Sequence, residues 1–102
     1  MKLQGKVAVI TGAGRNIGKA MAKLFAAEGA KIGVIEMHEG RGQAVVDEIN
    51  KAGQEAMLVL CDVAKSRDVE AMVSKVVARF GGIDILVNNA ALTDHASILD
   101  SS

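Results

Sequence analysis

The stretch KVAVITGAGRNIGKA, residues 6–20, changes character twice. Lys6–Thr11 is a β-branched apolar run with no alternating polarity, the pattern of a strand buried on both faces. A glycine-bearing turn follows, from Thr11 to Gly18. From Ile17 onward apolar residues recur at helical spacing, as Ile17, Ala20, Met21, Leu24 and Phe25, and Gly29 stands where a helix cap is expected. A strand that enters a helix through such a turn leaves the first helical N–H groups free to face an anion. The glycines let backbone and ligand approach each other closely. The stretch predicts a phosphate-binding strand–turn–helix unit, with a ligand-free tight turn as the alternative for the glycines taken alone.

The same cycle repeats along the chain. Lys31–Ile35 reads as a second strand, and Ala44, Val45 and Ile49 mark a helix ending near Gly53. Ala56–Leu60 reads as a third strand. The stripe Val69, Met72, Val73, Val76, Val77 and Phe80 predicts a third helix, closed by Gly81-Gly82, and Ile83–Val87 a fourth strand. Asn88–Ser102 is polar and begins as a loop, with Ala96–Leu99 as a possible helix start. Strict β-α-β-α-β-α-β alternation with short connectors predicts a parallel sheet in an α/β fold, because each right-handed crossover needs a helix to return the chain. No linker interrupts it, so residues 1–102 are expected to form one domain.

Composition narrows the function classes. Half of the 102 residues are hydrophobic, enough apolar surface to offset chain entropy, so a disordered tail is excluded. Twelve basic residues balance twelve acidic ones, which argues against a nucleic-acid binder. One cysteine makes no internal disulfide, and Cys61, ending an apolar strand, reads as a small buried hydrophobe. No apolar run is long enough to span a bilayer, and no signal-peptide core opens the chain, so a cytoplasmic location is expected. His38 and His95 are far apart with no cysteine–histidine cluster, so no metal site is expected.

Known nucleotide loops can be tested against the turn. The pattern G-x-x-x-x-G-K-[ST] fails at Ala13 and Ala20, which removes the magnesium-binding hydroxyl and argues against a kinase or NTPase. The pattern G-x-G-x-x-G fails at Ile17. Thr11, Gly12 and Gly18 instead resemble the T-G-x-x-x-G-x-G turn of the short-chain dehydrogenase/reductase family. Asn16 stands at the middle glycine; asparagine is the residue most tolerant of positive φ after glycine. Asp62-Val63 after the third strand resembles the family's Asp-Val. Asn88-Asn89-Ala90-Ala91 after the fourth resembles its N-N-A-G, with Ala91 at the last glycine. The resemblance covers essentially the whole chain, including Phe80–Ala90.

The resemblance implies a Rossmann-type, doubly wound sheet of strand order 3-2-1-4 that binds a dinucleotide at the carboxyl ends of its strands. Gly12, Gly14, Arg15, Asn16, Ile17 and Gly18 would carry the pyrophosphate turn. Glu36, with Met37 beside it, would accept both ribose hydroxyls of NAD and repel the 2′-phosphate of NADP. Arg15 pulls toward NADP, but Met37 and His38 add no fixed positive charge, so NAD is preferred. Asp62 and Val63 would meet the adenine, although Asp62 is also a candidate helix cap, with Ser66 the better one. Asn89, Ala90 and Ala91 would lie by the nicotinamide-side ribose.

Family members interconvert alcohols and ketones by hydride transfer, using a Tyr-x-x-x-Lys pair, a serine and an asparagine. A lysine and the cofactor's charge lower the tyrosine pKa so that it exchanges a proton near neutral pH. This chain has no tyrosine. The resemblance places those residues after Ser102, so no catalytic residue is expected here and the chain alone is expected to be inactive. It is read as the cofactor-binding half of an enzyme more than twice as long, a homo-oligomer (dimer or tetramer) acting on a small alcohol or ketone. The fourth strand, with one bare edge, points the same way. The alternatives are a stand-alone NAD-binding module and an S-adenosylmethionine methyltransferase. Thr11-Gly12, Asp62-Val63 and Asn88–Ala90 speak against the latter.

Overall fold

The structure, a computed structural model, describes residues 2–13 and 16–89. Four strands alternate with three helices: β1 (Val7–Thr11), α1 (Asn16–Ala27), β2 (Lys31–Glu36), α2 (Glu39–Lys51), β3 (Ala56–Leu60), α3 (Ser66–Phe80) and β4 (Ile85–Asn88). The strands form one parallel sheet in the order β3-β2-β1-β4, as expected. All five residues of β1 are buried, which explains its unbroken apolar run.

Strand residues divide by parity between two cores. Ala8, Ile10, Ile32 and Val34 pack with Ala22, Ala26, Val45 and Ile49 beneath α1 and α2. Val7, Val9, Ile35 and Val59 pack on the other face with Met72 and Val76 of α3. The row that α1 turns to the sheet is Gly18, Ala22 and Ala26, not the expected Ile17, Ala20, Met21, Leu24 and Phe25. Ile17 and Leu24 are 66% and 59% exposed, Ala20 is exposed, and Met21 and Phe25 are only partly buried. The helix lies close to the sheet, and only small side chains fit on the facing row. In α3, Met72 and Val76 are buried while Val73 and Val77 are largely exposed, so that stripe is also narrower than its apolar pattern.

The boundaries shift by one or two residues. β1 begins at Val7, β2 runs on to include Glu36, and β4 runs Ile85–Asn88 instead of Ile83–Val87. Asp84 causes the last shift: its carboxylate accepts the Val7 N–H at 2.9 Å while its own N–H bonds Val7 O at 2.9 Å, so a side chain opens the β1–β4 ladder. Gly29 and Gly81 follow their helices in left-handed conformation, with φ of 96° and 92°. Lys65, not Ser66 or Asp62, is the N-cap of α3. The Asp62 carboxylate accepts the Ala64 N–H at 3.0 Å instead. Asp68, in the first turn, accepts the Asp62 N–H at 3.0 Å, holding the approach to the helix from inside it.

Among the described residues no helix is long and apolar enough to cross a membrane. Beyond β1, no described strand pairs with β4. The possible helix at Ala96–Leu99 lies outside the described residues, as do His95, Gly14, Arg15, Ala90 and Ala91.

Candidate functional site

A parallel sheet aligns all its carboxyl ends along one edge. Register places Thr11 beside Ile35 and Asn88, and Glu36 beside Leu60. The chain segments that leave the strands, beginning at Cys61, Met37, Gly12 and Asn89, therefore share that edge. The four buried polar or charged residues among those described, Thr11, Glu36, Asn88 and Asn89, all lie there. Burying polar groups is unfavourable unless each finds a partner. Among the described residues no buried side-chain polar atom lacks one.

The glycine turn is built by backbone bonds to β2. Gly12 N–H bonds Ile35 O at 2.8 Å and the Ala13 N–H reaches the same oxygen at 3.4 Å. Gly12 has a φ of 64°, where glycine is favoured because a Cβ would clash. Asn16 needs no such tolerance. It opens α1, and no described non-glycine residue has positive φ, so the replacement of a glycine there fits ordinary helical geometry. Asn16 and Ile17 are both exposed at the helix start.

Gly18 marks the tightest approach. A methyl group there would collide with Gly12 O, lie 2.6 Å from Asn89 Nδ2 and 3.1 Å from Ala13 Cα. The Asn89 side chain donates to Gly12 O at 3.3 Å, tying the turn to the end of β4. Thr11 Oγ1 lies 3.0 Å from Asn88 Oδ1 and donates to it, a second tie between β1 and β4. Thr11 and Asn88 thus belong to the site's frame, and the asparagines after β4 tie neighbouring strand ends together, as the family resemblance implies. The signal in the sequence is a polar residue at the end of an apolar strand.

Glu36 ends β2 on the face covered by α2 and is 4% exposed. Its Oε1 accepts the N–H groups of Met37 at 3.0 Å and His38 at 3.3 Å. The carboxylate thus lies at the start of α2, where the helix dipole favours negative charge. Met37 itself is 63% exposed. Directly after β3, the Cys61 N–H bonds Glu36 O at 3.1 Å, and Asp62 and Val63 are half-buried. Burial raises the pKa of the Cys61 thiol, and the negative charges of Asp68 and Asp62 raise it further. It is a protonated, inert group at neutral pH. No cluster of three or more metal-ligating side chains occurs among the described residues. A groove of about 240 Å³ opens at the opposite edge, between Gln4, Gly29, Gly53 and Glu55, away from every buried polar group named above.

The sheet order and the turn after β1 can be compared with known proteins. The sequence profile of the short chain dehydrogenase family matches residues 6–102. The chain belongs to the short chain dehydrogenase family. An uncharacterized oxidoreductase of Thermotoga maritima is 45% identical to this short chain dehydrogenase sequence over 102 residues, all of this chain and 40% of that protein. The solved structure of a 7α-hydroxysteroid dehydrogenase complexed with NADH and 7-oxo glycochenodeoxycholic acid superposes with a TM-score of 0.83 at 39% identity, over 85% of this chain and 34% of that one. A metagenomic short-chain oxidoreductase in complex with NADP superposes with a TM-score of 0.79 at 37% identity, over 84% of this chain and 39% of that one. The short chain dehydrogenase chain described here thus spans 34–40% of the length of these relatives.

Proposed function

We propose that this chain supplies the NAD-binding part of an oxidoreductase that interconverts a small alcohol and its ketone. The observation that carries the reading is the buried Glu36 carboxylate at the end of β2, one strand from the glycine turn. The residues present fit a dinucleotide: the Gly12–Gly18 cradle would be filled by a single added methyl group, and α1 starts beside it. Gly12, Gly14, Arg15, Asn16, Ile17 and Gly18 would hold the pyrophosphate. Glu36 and Met37 would hold the adenine-side ribose, Asp62 and Val63 the adenine, and Asn89, Ala90 and Ala91 the nicotinamide side. The nicotinamide supplies the hydride acceptor or donor. The chain's own residues bind and orient it.

Cofactor choice rests on charge. A carboxylate accepts from two ribose hydroxyls, and the same charge opposes a 2′-phosphate, so NAD is preferred over NADP. The relatives bound to NADH and to NADP show that this fold takes either. The proton-transferring tyrosine is assigned outside these 102 residues, since the chain has none, and the chain alone is then inactive. The parent enzyme is read as one longer domain, cytoplasmic and homo-oligomeric, and as binding neither nucleic acid nor membrane.

The test is titration of the protein with NADH and NADPH, followed by nicotinamide fluorescence, in wild type and Glu36→Ala. The expected result is a wild-type preference for NADH that Glu36→Ala removes or inverts, with NADH affinity falling about 10-fold as charge-assisted hydrogen bonds are lost. Equal wild-type affinities, unchanged by Glu36→Ala, overturn the reading.

A further inference from the structure

We propose that Gly42 is a positioning residue for the Glu36 carboxylate and thereby sets how strongly the site prefers NAD over NADP. The inference rests on the reading that Glu36 meets the ribose. It begins from two glycines in the first turn of α2 that share a helix and differ in surroundings. A methyl group at Gly40 would meet nothing within 4 Å. One at Gly42 would run into Leu58 Cδ1 and stand 3.2 Å from Glu36 Cβ and 3.5 Å from Glu36 Cγ. Neither glycine has positive φ, so backbone conformation does not require glycine at either place. Glycine in a helix costs about 1 kcal/mol relative to alanine. At Gly42 the compensation is space, and the space is taken by the stem of Glu36.

The neighbours determine which group would yield to an added methyl. Leu58 Cδ1 is the free end of a half-buried side chain and can turn away. Glu36 is held at both ends: its backbone oxygen accepts from Cys61 at 3.1 Å, and its Oε1 accepts from Met37 and His38. The Gly42 N–H in turn bonds His38 O at 3.1 Å. Gly42, His38 and Glu36 therefore form a closed link, so pushing α2 outward also draws the His38 N–H away from the carboxylate. Either response, a tilted Glu36 stem or a displaced helix start, moves the two oxygens by a few tenths of an ångström. Paired hydrogen bonds to ribose hydroxyls weaken over such distances, because they depend on length and angle. Charge repulsion of a 2′-phosphate falls only as the inverse of distance and hardly changes. Displacement should therefore weaken NAD selectively.

The experiment is the same fluorescence titration on wild type, Gly40→Ala, Gly42→Ala, Leu58→Ala and the double variant Gly42→Ala/Leu58→Ala, with thermal unfolding measured on each. In Gly42→Ala the Kd for NADH should rise about 3- to 10-fold, the worth of one hydrogen bond, with the Kd for NADPH within about 2-fold of wild type. Gly40→Ala should leave both constants unchanged. The double variant, which removes the overlap with Leu58 but keeps the contact with Glu36, should regain thermal stability over Gly42→Ala and still bind NADH weakly. A wild-type preference for NADH that is undiminished in Gly42→Ala, or that the double variant restores in full, overturns this inference and leaves the role of Glu36 standing. Loss of both cofactors in parallel would mean damage to packing alone and overturns it too. Wild-type protein with no preference for NADH removes the reading of Glu36 and this inference with it.

Discussion

The two ends of the sheet are built on opposite principles. At the carboxyl ends, Thr11, Glu36, Asn88 and Asn89 are buried and bonded, and they tie β1 to β4 and β2 to the start of α2. At the amino ends the ion pairs and ring contacts are exposed, and the bonds that the Asp84 and Asn50 side chains accept from the Val7 and Ala56 N–H groups are only part-buried. Lys31 and Glu55 lie 3.9 Å apart with side chains 39% and 56% exposed, and Lys31 and Arg79 lie 5.8 Å and 5.3 Å from the centre of the Phe80 ring. A buried polar group without its partner costs far more than a screened surface pair returns. The carboxyl end is therefore the end where losing one partner costs most, and a ligand site needs groups held in place in that way.

The contrast ranks the outcomes of mutation. The largest effect is expected for Gly18→Ala, whose methyl meets Asn89 Nδ2 and, more closely still, the backbone oxygen of Gly12, which cannot turn aside as a side-chain end can. Overpacking of this kind costs about 1–3 kcal/mol, and NADH binding should fall by at least about 10-fold as the turn is displaced. Denaturant unfolding and titration measure both. Thr11→Val keeps the shape of the side chain and removes its hydrogen bond to Asn88 Oδ1. A loss of about 1–2 kcal/mol in unfolding free energy is expected, because a buried acceptor is left without that donor.

A smaller, pH-dependent effect comes from Cys61. Its folded pKa is raised, so the unfolded chain loses the thiol proton first. The stability this thiol contributes is full below the ordinary thiol range and is lost as pH rises through that range toward the folded value. Cys61→Ala should flatten the alkaline slope of the thermal midpoint, and iodoacetamide should label native protein slowly until it unfolds. The smallest change belongs to the amino end. Lys31→Ala should alter stability by no more than about 0.5 kcal/mol, and less in high salt. If it costs as much as Thr11→Val, the contrast between the two ends fails.

Much of this was legible in the chain. Unbroken β-branched runs, glycines after each helix and strict alternation lead to four parallel strands, because periodicity and turn chemistry are local properties. The position of the glycine turn, and of an acid after the second strand, could also be read directly. The facing row of α1 could not. Ile17 and Leu24 fit a helical stripe as well as Ala22 and Ala26 do, and how closely the helix approaches the sheet decides between them. The reach of Asp84 to Val7, across 77 positions, was equally invisible.

The sequence by itself determined the element order, the parallel sheet and the residue types at each strand end, since these follow from hydrophobic spacing and from where glycine and polar residues interrupt it. Only the tertiary structure decided which polar residues are buried, which atoms Asn89 and Thr11 use to lace β4 to β1, and that Gly42 and Gly40 differ. Those outcomes depend on distances between segments far apart in the chain, and such distances are set by how closely helices pack on the sheet.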